Sequence, residues 1–325
     1  MKSYLTERVS AALQALKYDA GIRLTFEKPR LEAHGDITTN IALLLAKSLG
    51  KNPRAVAQEI VSAMKIEPES VAKVEIAGPG FINFRFTERF FVQQLSTILT
   101  QGLDFGRSTI GRGKKSQVEF VSANPTGPLS VGHGRQAAIG DTIANLLEWT
   151  GHDVTREYYY NNAGRQMRLL AESTYARYRQ LFDPSFPFPE DGYQGEYIKA
   201  IAERLRVDKG DSLCKSEKDE AIRLCQSAAE EILFESIKNV LARMGVIFDV
   251  FYNEDSLYTS GKIQEVVSEF RAKGLAYDKD GAVWLKATAL GLEQDRVIVK
   301  STGEPTYRLP DIAYHREKFR RGFEL

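Results

Sequence analysis

The apolar positions of this chain change period several times, and each change marks an element. Leu5, Val9, Leu13 and Leu16 fall on one face of a helix. Residues 40–49 give a second helix, with Gly50 as its stop. Asn52-Pro53 reads as an N-cap and first helical position, and Val56, Ile60 and Met64 line one side of the helix they open. The period then falls to two. Val74 and Ile76 alternate with Lys73 and Glu75, Phe84 and Phe86 alternate with Asn83 and Arg85, and Gly78-Pro79-Gly80 between them is a hairpin turn. A helix over 88–101 completes a small α+β module. Residues 102–115 follow, with glycines at 102, 106, 111 and 113 and bases at Arg107, Arg112, Lys114 and Lys115. This stretch reads as a solvated hinge, a phosphate-contacting patch being the alternative.

The second half begins with a strand over 117–121. A helix follows from Gly134 to Trp149, with Ile139, Ile143, Leu146 and Leu147 on one face and Gly151 as its stop. Asp153 to Tyr160 is a strand again. Strand, glycine-bearing turn, helix and strand make a βαβ unit, the seed of a doubly wound sheet. Residues 167–244 are largely helical, broken by Pro184, Pro187 and Pro189, and look inserted into the α/β fold. Beyond Phe248 the pattern is mixed: a helix near 262–273, a hairpin-like pair at 282–286 and 297–300, and a final helix from Asp311.

Composition changes this picture little. The 325 residues suit two or three domains, and 44 basic against 43 acidic side chains leave a net charge of +1. No global basic field announces a nucleic-acid partner, so any such contact has to come from a local patch. No run of about 18 apolar residues and no signal-peptide core at Met1-Lys2-Ser3-Tyr4 is visible, and a cytoplasmic protein off the membrane is expected. Cys214 and Cys225 lie in a Lys/Glu-rich helical stretch and read as spare thiols, disulfide or metal use being the alternative.

The chemistry concentrates between Ala123 and His133. The stretch is rich in turn formers and small residues, follows a strand, and ends in Gly132-His133-Gly134 where a helix begins. Such a turn sets backbone donors and an imidazole at a helix N-terminus, where an anion such as a nucleotide phosphate is favoured. His133 could instead be a structural histidine that caps the turn.

This stretch resembles the His-Ile-Gly-His signature of class I aminoacyl-tRNA synthetases, and its extended form from Glu119 to Pro128 looks like that of arginyl-tRNA synthetases. Gly151 to Tyr159 with Asn161 to Gln166 is similar to the family's segment after the signature helix. Asp191 to Tyr197 resembles a motif of its insertion, and Pro305 to His315 its arginine-pocket helix. Gly35 to Asn40 and Gly78 to Asn83 are similar to the family's N-terminal domain. The resemblance covers the whole chain. It implies an N-terminal α+β domain over 1–107, then the first half of a Rossmann-like doubly wound parallel sheet over 108–325, with a largely helical insertion at about 167–247.

The resemblance implies arginine–tRNA ligation: L-arginine is activated by ATP, then passed to tRNA(Arg). His133 and Ser130 take the catalytic positions. Ser130 stands where the signature has its first histidine, and a hydroxyl donates to phosphate but carries no positive charge. Pro125, Gly127, Gly132, His133 and Gly134 match ATP-binding positions. Glu119, Ser122, Ala123, Asn124, His133, Tyr307 and Asp311 match arginine-binding ones, and Phe81 and Asn83 loosely match positions that face tRNA. A guanidinium is a planar fork of donors best met by carboxylates, which fits Glu119 and Asp311. Taken without the resemblance, Asp311 is an N-cap, Glu119 an exposed strand position and Phe81 hairpin core. No metal cage is encoded; Mg²⁺ is expected to arrive with ATP as part of the substrate. A monomer is expected. The family continues with the other half of the nucleotide fold, a Lys-Met-Ser-Lys-Ser-type loop and an anticodon-binding domain, none of which lies in these residues. The chain therefore reads as a fragment, expected to activate arginine poorly alone. The rivals are a stand-alone tRNA- or nucleotide-binding fragment without ligase activity, and a class I nucleotidyltransferase for another substrate.

Overall fold

A computed structural model describes residues 1–18 and 21–325. The chain divides into two compact units, Met1–Gly106 and Arg107–Leu325. Among the described residues, no helix is long and apolar enough to cross a membrane.

The first unit contains α1 (Lys2–Ala15), β1 (Ile37–Thr39), α2 (Ile41–Leu49), α3 (Pro53–Ala63), β2 (Val71–Ala77), β3 (Phe81–Phe86) and α4 (Glu88–Gln101). Leu5, Val9 and Leu13 are buried as their spacing predicts. The Asn52 side chain accepts from the Arg54 N–H at 2.9 Å, the expected cap of α3. Gly50 ends α2 in the left-handed region at φ 61°. The sheet is antiparallel in the order β1-β3-β2, and β1 is a strand the periodicity does not reveal. Three residues are too few to display an alternation. Ile82, Phe84 and Phe86 of β3 meet Ile37, Ile41 and Ile60 in one core.

The second unit is built on a parallel sheet. It runs β4 (Lys115–Glu119), α5 (Val131–Trp149), β5 (Asp153–Tyr160), α6 (Gly164–Gln180), α7 (Glu196–Lys209), α8 (Ser212–Lys215), α9 (Lys218–Arg243) and β6 (Val250–Asn253). The strand order is β4-β5-β6, all neighbours parallel. The helices α6 to α9 thus form the excursion between β5 and β6. Met167, Leu170, Ile198, Leu205, Cys225 and Leu233 make their own core. Burial pushes the Cys225 thiol up to about 12, and Cys214 is likewise a free thiol. The chain continues through α10 (Asp255–Thr259), α11 (Lys262–Ala272), an antiparallel sheet of β7 (Ala276–Lys279), β8 (Ala282–Leu285) and β9 (Arg296–Val299), and α12 (Arg308–Arg320).

Three expectations need correction. The basic stretch after Gly106 is not a free hinge along its length: Ser108, Gly111 and Gly113 donate backbone bonds to Trp149, Thr150 and Gly151, and the Arg107 guanidinium lies 4.7 Å from the Trp149 ring centroid. The face of α5 that carries Ile139, Ile143 and Leu146 is exposed; Ala137, Gly140 and Ala144 are buried instead. A Cβ on Gly140 would come within 2.2 Å of the Phe120 ring, so small residues let this helix lie tight on the sheet. The final helix begins at Arg308 rather than Asp311, with Tyr307 as its N-cap residue.

One ion pair fastens α12 to the central strand. Glu157 of β5 is fully buried and accepts from Arg321 at 2.5 and 2.9 Å and from the Tyr314 hydroxyl at 2.5 Å. Substituting Glu157→Gln leaves the Arg321 guanidinium without its charge partner and is expected to cost about 3 kcal/mol. Guanidinium unfolding checks this; a midpoint equal to that of the unsubstituted protein would remove the anchoring role. Gly140→Val should cost about 2 kcal/mol by overpacking against Phe120, seen as a lowered thermal midpoint.

Candidate active site

The parallel strands converge on one edge where their order reverses. From β4 the chain builds outward through β5 to β6. After α12 it returns to the opposite side of β4, where the Glu324 N–H donates to Lys115 O and the Leu325 carbonyl accepts from the Gln117 N–H, each at 2.8 Å. In open α/β sheets ligands bind at the carboxyl ends of strands, at such a reversal. The segment leaving β4 there is the motif-bearing loop, 120–130.

Its first residues are forced into an unusual backbone. The strand ends at Glu119, two residues earlier than its hydrophobicity suggests, because Val121 and Ser122 both take positive φ, 66° and 46°. A β-branched residue in that region is strained, by about 1–3 kcal/mol, and such strain collects at functional sites. The turn delivers the Ser122 hydroxyl to two partners. It donates to Glu119 Oε1 at 2.9 Å and accepts from the Tyr159 N–H at 3.2 Å. Ala123 is held by the buried Tyr158 hydroxyl, which donates to its carbonyl at 2.7 Å. Asn124 accepts from the Asn161 N–H at 2.9 Å and donates to Gln166 Oε1 at 3.0 Å. Pro125 is buried. A Cβ on Gly127 would lie 3.1 Å from the Tyr197 hydroxyl, which itself donates to the Thr126 carbonyl at 2.9 Å.

The loop ends in a capping box. Ser130 is the N-cap of α5: its hydroxyl accepts from the His133 N–H at 3.4 Å, and the Ser130 N–H donates to His133 Nδ1 at 3.1 Å. With Nδ1 accepting, the neutral ring carries its proton on Nε2. His133 is therefore both a structural cap and an oriented donor, and the Ser130 hydroxyl is committed to the cap. Around Gly132 and Gly134 a Cβ would meet only Ser130 Oγ at 3.4 Å and a Met244 methyl at 3.9 Å, so the backbone there stays approachable.

The acidic residues come together from two elements. Glu119 ends β4 and Asp311 lies in the first turn of α12. Glu119 Oε2 is 2.6 Å from Lys318 Nζ. Among the described residues no side chain hydrogen-bonds the Asp311 carboxylate. Burial pushes that carboxyl above the usual carboxylate range, and the neighbouring Glu119 adds to the shift, while His315 and Lys318 oppose it. Asp311 is not an N-cap. Tyr307 is 67% exposed with the Arg308 guanidinium 4.6 Å from its own ring centroid, so it lies at the rim.

Tyr159 and Asn161 gain no role from the motifs, and Glu254 lies outside them. Tyr159 donates to Glu254 Oε2 at 2.7 Å and Asn161 to Glu254 Oε1 at 2.8 Å. Burial, then Glu254, suppresses ionisation of the Tyr159 hydroxyl. Asn161 and Glu254 each follow a parallel strand directly, and that position was the available signal. In the first unit, Phe81 is 37% exposed at the start of β3, whereas Asn83 is 5% exposed and paired between Thr38 and Glu75. Its amide is not on the surface beside the Phe81 ring as the tRNA-facing expectation needs. Among the described residues no group of three or more His, Cys, Asp or Glu could hold a metal ion.

Comparison with known proteins agrees with this architecture. Residues 3–86 match the family model for the arginyl tRNA synthetase N terminal domain, and residues 94–322 match that for the catalytic domain of class I (R) tRNA synthetases. A protein of Desulfotalea psychrophila named arginine–tRNA ligase is 56% identical over 93% of this chain and 54% of its own length. One of the same name from Salinibacter ruber is 45% identical over 100% of this chain and 61% of its own. The chain thus spans little more than half the length of these relatives. The solved structure of Thermus thermophilus arginyl-tRNA synthetase, 23% identical, shares the fold with a TM-score of 0.68 over 97% of this chain and 52% of its own. With its catalytic-domain match covering most of the sequence and relatives this similar along its length, the chain belongs to the class I arginyl-tRNA synthetase family.

Proposed function

We infer that this protein serves the activation of L-arginine by ATP and its transfer to tRNA(Arg). The observation that carries the reading is the meeting of Glu119 and Asp311, from strand and helix, beside the loop that ends in the Ser130–His133 cap. An exposed carboxylate that no side chain hydrogen-bonds among the described residues suits a planar cationic fork. The backbone donors of the first turn of α5, its dipole and the Nε2–H of His133 suit a phosphate.

In this reading an arginine carboxylate oxygen attacks the α-phosphorus of ATP. The new C–O–P linkage forms as the bond to pyrophosphate breaks. The protein's part is to position both partners and to stabilise charge on the phosphate oxygens. Mg²⁺ comes bound to ATP and offsets phosphate charge. Ala123 and Asn124, pinned by Tyr158, Asn161 and Gln166, form a rigid floor beneath the amino-acid head group. Pro125 and Gly127 shape the turn, and Gly132 and Gly134 let the nucleotide approach the main chain. The exposed Phe81 ring supports a stacking contact with an unpaired tRNA base.

Asp311→Asn should weaken arginine binding about thirtyfold, some 2 kcal/mol, while ATP affinity stays unchanged. Calorimetric titration with each ligand reads the difference, and unaltered arginine affinity would exclude Asp311 from the pocket. His133→Ala should show the reverse, with ATP binding weakened about tenfold and arginine binding little affected.

A further inference from the structure

Lys318 lies two turns beyond Asp311 on α12, yet its ammonium is delivered to the other carboxylate of the pair. Nζ lies 2.6 Å from Glu119 Oε2, and the two side chains keep only 14% and 27% of their exposure. The same ammonium rests 4.2 Å from the centroid of the Tyr314 ring. Tyr314 is itself buried and fixed to Glu157. A lysine on an outer helix face ordinarily extends its head into water. This one is turned inward and held by a carboxylate and an aromatic face. Ser122 holds the other oxygen of Glu119, so that carboxylate is satisfied on both sides.

We propose that Lys318 is a resident counter-ion of the arginine pocket, setting its charge to match one guanidinium. Two carboxylates and one ammonium leave a single negative charge, the complement of one arginine side chain. Lys318 acts on the substrate through Glu119 and is a positioning residue. Without it, the Asp311 carboxyl loses the ammonium that opposes the effect of Glu119 and moves further up. A guanidinium binding there has to displace any proton that carboxyl has taken up. The charge-bearing or titratable groups around the pair are Lys318, His315 and Tyr314 on α12, Tyr159 on β5, and Glu254 behind Tyr159. The proposal rests on the reading that Glu119 and Asp311 bind arginine.

The test is titration of the 325-residue protein with L-arginine between about pH 5.5 and pH 8, comparing four proteins: unsubstituted, K318M, K318R, and the E119Q/K318M double variant. The sign follows from linkage. Removing the ammonium raises a pocket carboxyl, so affinity is lost as pH falls through that raised value. K318M should therefore gain affinity with rising pH, approaching about tenfold per unit where one proton is displaced. The unsubstituted protein and K318R should share a shallower profile. The double variant, with one carboxylate and no ammonium, again carries a single negative charge and should return to it. The difference between profiles is the measurement. A K318M profile that superimposes on the unsubstituted one, or a K318R profile that follows K318M, overturns the proposal. Failure of the unsubstituted protein to bind arginine at any pH refutes the pocket reading itself, and the proposal with it. K318Q carries the same comparison if K318M does not fold.

Discussion

The buried carboxylate of Glu157 decides where Glu119 and Asp311 stand. It sits on the central strand of the parallel sheet and takes both the fork of Arg321 and the hydroxyl of Tyr314. Its desolvation is costly, and only this nearly complete set of donors repays it. Because Tyr314 lies in α12 and Arg321 is its C-cap, the helix cannot slide or rotate without breaking the set. Glu119 lies one strand away, at the register position paired with Glu157. The spacing of Glu119 and Asp311 is thus fixed by an interaction that touches no ligand.

A second constraint sets the other side. Ala137, Gly140 and Ala144 bring α5 close to Phe120, so the start of this helix is placed by packing as well as by its cap. The strained turn at Val121 and Ser122 then joins strand to loop over a short path. Strain at one end and the Ser130–His133 box at the other leave the intervening residues little freedom. Hydrogen bonds from Tyr158, Asn161 and Tyr197 remove more of it. A loop treated in this way presents a preformed surface, which is what stabilising a transient charge requires.

Long periodic elements were legible in the sequence: α1, α3, the β2–β3 hairpin and the βαβ unit follow from spacing and turn chemistry. The short strands β1, β6 and β7 were not, whereas the equally short β8 and β9 show as apolar runs that pair with each other. The exposed face of α5 misled for a different reason. Large apolar residues normally mark the buried face, but here close approach to Phe120 selects the smallest residues instead. The motif residues of the site were readable one by one. Their partners were not, because Glu157, Glu254 and Lys318 act through contacts between residues 93 to 199 positions apart. Charge pattern along a single helix gives no hint that Lys318 turns inward, and only the tertiary fold places Glu119 beneath it.

Tyr197 gives the helical block a mechanical role. Its ring occupies the space above Gly127, and its hydroxyl grips the neighbouring carbonyl. Tyr197 sits at the first turn of α7, which packs into the block's own core through Ile198 and Ile201. Any shift of α7 is therefore felt at the Thr126–Gly127 turn, which couples the helical block to the loop that leaves β4.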